Sequence, residues 1–397
     1  MLLLALIAIM AKEGYSQTDT MVVYHVGRQT TTMILPAEYD SSGTFGATTA
    51  FVGSMGHKVD LNLVPPAENL FVCSHFSDIA RAGLYYNTKD YPFRTGVVLI
   101  RKKYDTLRSF CSGIMVGEKL VLTAAHCILD LNSQNWDSDS ILVAPAFDDG
   151  ISPAAIPASY AVKYYITKKG YDRMGWDDAA LLQLRRPIGK KTGYIGVAYS
   201  DADSFFTAKV FHKLSYPAMT DPYDTTRKYN GDTLCYNYGM IEPMGIFLGI
   251  PGPETRAIPG QSGSSLFYTD NSEYYSMGVL SFSFNYRHFR ITKKIFHDFK
   301  NIMDYYVDGR GDNPGEDNIV KIFPNPSHGR VHISIPEPGP EGFMVSLDNV
   351  YGQPVREEFP VFTCSFTLQI ADLPGGIYIL RLKSKSNKLL TGKIVVQ

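Results

Sequence analysis

Short apolar runs separated by turns fill the middle of the chain, at 96–102, 111–123, 179–184, 209–216 and 277–284. Runs of this kind, with no long helical repeat between them, predict the strands of a β-barrel or β-sandwich. Residues 295–306 (IFHDFKNIMDYY) break the pattern, because their apolar positions recur with helical spacing and predict one amphipathic terminal helix. Residues 307–318 (VDGRGDNPGEDN) are a linker by composition. Beyond them, runs at 319–323, 330–335, 343–348, 362–370, 377–382 and 391–396 predict a separate small Ig-like β-sandwich over 319–397. Upstream, residues 17–90 are rich in Thr and Ser, alternate weakly and carry no readable chemistry. They are either a propeptide or part of the folded domain that occupies 91–306.

Composition then narrows the classes. The 397 residues hold 38 Lys+Arg against 39 Asp+Glu, a net charge of −1, which offers no electrostatic footprint for nucleic acid or an anionic membrane. An apolar fraction of 45% with 19% charged residues suits a chain that buries real cores. The 26 Tyr, 22 Phe, 34 Gly and 23 Pro favour strands and turns, hence an all-β fold. Residues 2–10 (LLLALIAIM) are too few to span a bilayer and have the length of a signal-peptide core. Gly14 and Ser16 supply the small residues for a cut before Gln17, so 1–16 are expected to be a signal peptide. No later run has the length of a membrane-spanning segment. Export in turn allows disulfides among the five cysteines.

Three segments carry candidate chemistry. In Leu122-Thr123-Ala124-Ala125-His126-Cys127 an apolar strand ends in small residues that deliver His126 to a cleft edge. A lone histidine there would more often be structural, so its meaning depends on partners. In Asp177-Asp178-Ala179-Ala180-Leu181-Leu182 an acid stands immediately before a buried strand, placed to accept an imidazole Nδ1–H and stabilise the imidazolium. Successive side chains point to opposite faces, so only one of Asp177 and Asp178 can do this. In Pro259-Gly260-Gln261-Ser262-Gly263-Ser264 glycines flank a serine on a turn whose backbone N–H groups can converge on a developing oxyanion. Each segment alone also reads as an ordinary strand cap or turn.

Together they resemble the trypsin/chymotrypsin-like serine peptidases: Thr-Ala-Ala-His-Cys is similar to the histidine box, Asp-Ala-Ala-Leu-Leu to the aspartate strand, and Gly-Gln-Ser-Gly-Ser to the nucleophile loop. The order His, Asp, Ser is that of the chymotrypsin group and not that of the α/β-hydrolases. The resemblance covers residues 91–306 and implies a double β-barrel closed by a C-terminal helix. It implies Ser262 as nucleophile, His126 as general base and acid, Asp178 as its orienting carboxylate, and the Gly260 and Ser262 amides as the oxyanion hole. It also implies a Cys111–Cys127 disulfide, protein or peptide substrates, and no metal or organic cofactor.

Departures from the family pattern matter. Gln261 stands where an Asp usually pairs with a newly exposed amino terminus, and no Ile-Val-Gly-Gly stretch precedes Cys111. Insertion of an N-terminal amine is therefore not expected to be the activation switch. Residues 91–94 and 260–264 look like the bacterial glutamyl-endopeptidase group, whose specificity histidine would fall at Leu280. Leucine cannot bind a carboxylate, which leaves Arg256, Leu280 and Ser283 as the residues expected around the specificity pocket, with Arg256 either an acidic-side-chain receptor or an exposed loop residue. Cys73 and Cys235 form a possible second pair, and Cys364 is left over. Asp130–Asp139 lacks the Gly and Glu of a calcium loop, and Arg310-Gly311-Asp312 sits in a linker where chance explains it.

The C-terminal 319–397, with Pro324-Asn325-Pro326 and Gly376-Ile377-Tyr378-Ile379-Leu380, resembles the sorting domain of type IX secretion substrates of Bacteroidota. That implies type IX secretion machinery as a partner and passage through the periplasm and outer membrane, with the product secreted or held at the cell surface. The competing expectation is a catalytically inactive peptidase-like binding or adhesion protein, given Gln261 and Ser264; an esterase is a third.

Overall fold

The computed structural model describes residues 15–16, 20–36, 39–40, 42–61, 76–103, 106–130, 135–136, 141–172, 177–220, 225–251, 257–270, 272–282, 287–304, 320–335, 342–362, 365–384 and 389–397. Most of the expected signal peptide, the linker at 307–318, Arg256, Ser283, Cys73 and Cys364 lie outside these residues.

Six strands close on themselves in the first half of residues 91–306. Leu142–Pro145, Gly96–Lys103, Thr106–Met115, Leu120–Thr123, Ala180–Leu184 and Ser159–Thr167 follow one another, and Leu142 pairs back onto Tyr160. Closure leaves this part of the sheet without a free edge. The apolar run at 111–123 is two strands rather than one, because Gly117–Lys119 turn the chain between Met115 and Leu120. Val97, Leu99, Ile114, Val121, Leu122, Leu181 and Leu182 are all buried.

The second half is a ten-stranded sheet. Its path runs Glu242–Met244, Phe247–Gly249, Arg287–Arg290, Glu273–Phe282, Ser265–Asp270, Phe211–Ser215, Cys235–Gly239 and Ala80–Arg81, with Gly196–Ser200 pairing in parallel to Glu273–Phe282. The predicted helix is present as Lys293–Ile302. Thr292 caps it by accepting the Ile295 N–H, and Ile295, Phe296, Phe299 and Ile302 form its buried stripe.

Residues upstream of 91 also enter both sheets. Met21–His25 pairs with Ser159–Thr167, and Phe45–Ala47 with Gly196–Ser200. At the other end, Lys321–Phe323, Arg330–Ser334 and Ser365–Gln369 form one sheet, while Phe359–Val361, Phe343–Asn349, Gly376–Lys383 and Leu389–Val396 form another. Their inward residues, among them Val331, Ile333, Val345, Leu347, Leu380 and Ile394, make a core of their own. This is the expected sandwich, although the run at 362–370 begins later than predicted, at Ser365.

Candidate active site

All four residues of Leu120–Thr123 are buried. The chain leaves the strand through Ala124 and makes one tight turn at Ala125–Cys127. Larger side chains at Ala124 and Ala125, both essentially inaccessible, would not fit that approach to the barrel. The turn presents His126 with its side chain 26% exposed.

Strand register brings an acid to it. Ala180 pairs with Thr123, so the residues just before Ala180 and just after Thr123 emerge at one end of the barrel. Asp178 Oδ2 lies 2.8 Å from His126 Nδ1, and Asp178 Oδ1 accepts the His126 backbone N–H at 3.0 Å. A hydroxyl reaches the same carboxylate, since Ser281 Oγ donates to Asp178 Oδ2 at 2.5 Å. Asp177 is used differently: its backbone is left-handed, with φ 58°, and its carboxylate accepts Thr167 Oγ1–H at 3.1 Å. The two adjacent acids thus take different partners, the left-handed turn at Asp177 separating them just ahead of the strand that begins at Ala180.

Charge follows from this geometry. Burial alone would lower the His126 pKa, but the Asp178 charge and hydrogen bond outweigh it and hold the imidazole above its ordinary value. Burial would likewise raise Asp178. The His126 charge, the His126 side-chain and backbone bonds and the Ser281 hydroxyl together hold it below the usual carboxylate range. Asp178 is therefore ionised at neutral pH, and a neutral His126 keeps its proton on Nδ1 and its lone pair on Nε2.

Ser262 sits half-buried on the turn that precedes Ser265–Asp270. Gly260 and Gly263 have φ of 95° and 81°, values that strain any side chain with a Cβ. At Gly263 a Cβ would also collide with Thr123 Oγ1 and the Ser112 carbonyl, so this loop lies directly against the residues leading to His126. Gly263 N–H donates to the Leu280 carbonyl at 2.9 Å and Leu280 N–H to the Ser264 carbonyl at 2.8 Å, and the next residue is the Ser281 that bonds Asp178. Among the described residues the N–H groups of Gln261, Gly263 and Ser264 are all engaged, whereas those of Gly260 and Ser262 are not. The two amides expected to bind an oxyanion are thus the two left open.

Three residues that hold this arrangement carried no legible functional signal in the sequence. Ser281 is one of two serines in a largely apolar strand, and only the fold reveals its partner. Ser112 donates to the Gly260 carbonyl and accepts the Tyr216 N–H, both at 2.8 Å. Gln261, noted only for its missing charge, is wholly buried. Its amide carbonyl accepts the Ile258 N–H and its amide nitrogen donates to Ser215 Oγ, each at 2.9 Å. A neutral double anchor thus occupies the place where an ion pair was missing.

Cys111 and Cys127 are disulfide-bonded with Cα atoms 6.2 Å apart. Together with His126 they are the one group of three possible metal ligands among the described residues, but bonded sulfurs have no thiolate to offer. The bridge closes a loop of 16 residues, so the double replacement Cys111→Ser, Cys127→Ser should lower unfolding free energy by about 3 kcal/mol in urea titration. Cys235 is a buried free thiol, with burial pushing its pKa up to about 12. Leu280 is 1% exposed.

Two parts of the chain are similar to known proteins. Residues 85–304 match the Trypsin family, and residues 321–397 match the secretion system C-terminal sorting domain. The glutamyl endopeptidase of Bacillus licheniformis is 25% identical over 231 residues, 54% of this chain and 65% of that protein. Serine protease 23 of Homo sapiens is 32% identical over 128 residues, 28% of this chain and 31% of that protein. This chain therefore spans less than two thirds of either relative. The structure of a Glu endopeptidase in complex with MPD aligns with a TM-score of 0.44 at 18% identity, over 56% of this chain and 96% of that one. With a family match over more than half of its length, this chain belongs to the trypsin family of serine proteases.

Proposed function

We propose that the protein is a secreted serine endopeptidase working through Ser262, His126 and Asp178. Ser262 Oγ attacks the scissile carbonyl carbon while its proton passes to His126 Nε2. The new oxyanion is met by the Gly260 and Ser262 N–H groups. Collapse expels the amine, which takes the proton from His126, and leaves an acyl-enzyme; water activated by the same imidazole then releases the acid and regenerates Ser262. The observation that carries this reading is the Asp178–His126 pair beside a loop whose two open amides flank Gln261. A fluorophosphonate probe tests it directly. Covalent labelling of Ser262 in folded protein is expected, and failure to label would hand the molecule to the inactive binding or adhesion reading.

The electrostatics predict a pH profile. The base is the neutral imidazole, and Asp178 holds its pKa above the ordinary histidine value. Turnover should fall as pH drops through that raised pKa and plateau above it, read as log kcat/KM against pH.

A glutamyl preference is not carried over from the relative's name. Buried, aliphatic Leu280 offers a P1 carboxylate nothing, so Arg256 is the remaining candidate for an acidic side chain. In a P1-scanning peptide library, preferred cleavage after Lys or Arg would eliminate that role. The sorting domain implies export by the type IX machinery, to the surface or the medium, and no described helix is long and apolar enough to cross a membrane.

A further inference from the structure

Residues 20–61 lie upstream of the trypsin-family match, yet they are built into both halves of the catalytic region. Met21–His25 adds a strand to Ser159–Thr167 of the closed barrel, with Met21 and Val22 fully buried and Tyr24 stacked on Trp136 at 4.9 Å. Phe45–Ala47 adds a strand to Gly196–Ser200 of the other sheet, where Thr48 N–H donates to the Val197 carbonyl at 2.9 Å and Thr48 Oγ1 accepts the Val197 N–H at 2.8 Å. Tyr39 stacks on His297 of the terminal helix, with ring centroids 3.7 Å apart.

Beyond the second of these strands the segment runs along residues 190–194, in the connection between the two halves. Phe51 and Tyr194 exchange two backbone hydrogen bonds of 2.9 and 2.7 Å, and Ser54 N–H donates to the Lys190 carbonyl at 2.9 Å. The two stretches lie so close that a Cβ on Gly53 would run into the Gly193 backbone and the Lys191 carbonyl, and one on Gly193 into the Phe51 and Val52 carbonyls. The centre of this contact is Arg94, which is wholly buried. Its guanidinium donates to four backbone carbonyls, those of Thr192 (2.8 Å), Lys89 (3.1 Å), His57 (3.1 Å) and Val52. Val52 and His57 belong to the upstream segment, so its departure would strip a buried charge of half its acceptors.

We propose that residues 20–61 are a permanent clamp across the two barrels, retained by the working enzyme and not shed on maturation. The clamp has a reason to matter: His126 and Asp178 belong to one barrel and Ser262 to the other, and Arg94 ties the segment to the connection between them. Holding that connection fixes the relative placement of the reacting groups, in which a shift of about 1 Å can cost roughly 100-fold in rate. Retention itself does not rest on the peptidase reading, because it can be measured without activity.

The test uses the full chain with a specific protease site introduced between Leu61 and Phe76, cut after folding. The fragment bearing 20–61 should co-elute with the remainder on native size exclusion and separate from it only in denaturant. In the uncut chain, Gly53→Val should lower Tm and slow fluorophosphonate labelling of Ser262 by at least about tenfold. Gly27→Ala, at a position where a Cβ meets nothing, should do neither. If the fragment leaves and the remainder aggregates, the clamp stands. If it leaves and the remainder keeps its cooperative unfolding and full labelling rate, the clamp is overturned and the segment is a propeptide. Absence of labelling in every form would count against the peptidase reading alone, since co-elution and Tm would still decide the clamp.

Discussion

Replacement of Ser262 by alanine is expected to lower kcat for peptide hydrolysis by about a million-fold, leaving only the residual acceleration that binding and an oxyanion hole provide. The change removes one hydroxyl from a half-buried turn. The conformation of that turn is set elsewhere, by the glycine dihedrals, the Gln261 anchors and the Ser112 bridge. Tm should therefore stay within about a degree or two of the parent, as expected for a small surface-side change. KM for a peptide should also change little, because backbone and pocket contacts remain. A variant that kept a tenth of the parent kcat in a purified, protease-free preparation would remove Ser262 from the chemistry.

Asp178→Asn should cost about ten-thousand-fold in kcat with a nearly intact fold. Asparagine is almost isosteric and can still accept the His126 backbone N–H. Its amide nitrogen, however, is a donor facing His126 Nδ1, where Oδ2 now sits at 2.8 Å. The imidazole would satisfy it by moving its proton to Nε2, the atom that must receive the Ser262 proton. Loss of the carboxylate also removes the charge that raises His126, so whatever activity remains should show its acidic limb at lower pH than the parent. Both readouts, kcat and the displaced limb, separate tautomer control from simple unfolding.

The three segments of the candidate site were legible because each carries a local pattern: small residues before His126, an apolar strand after Asp178, and glycines around Ser262. The terminal helix was legible from periodicity alone. Other parts were not. Ser159–Thr167 is bordered by strands on both sides, so Tyr164, Tyr165 and Ile166 are buried in succession and the alternation that announces a strand is lost. Ser281 gained its meaning from register across Leu280 and Ser264, a relation no local window contains. The upstream segment looked featureless for the same reason. Its strands are short, and the partners that tie them to the two sheets, at 159–167 and 196–200, lie more than a hundred residues away. Nonlocal pairing of this kind is invisible to periodicity.

The division of the proposed reacting groups between two halves also bears on the chain as it is made. Synthesis runs from the amino terminus, and domains tend to fold as they emerge. The strands that close the first barrel are complete once Leu184 is out, with His126 and Asp178 already paired in the structure they form. The serine arrives only with the second sheet. On the proposed mechanism, a nascent or truncated chain would carry a general base and no nucleophile, and could not cut itself or its neighbours until the residues of the second sheet, which runs to Arg290, have been made.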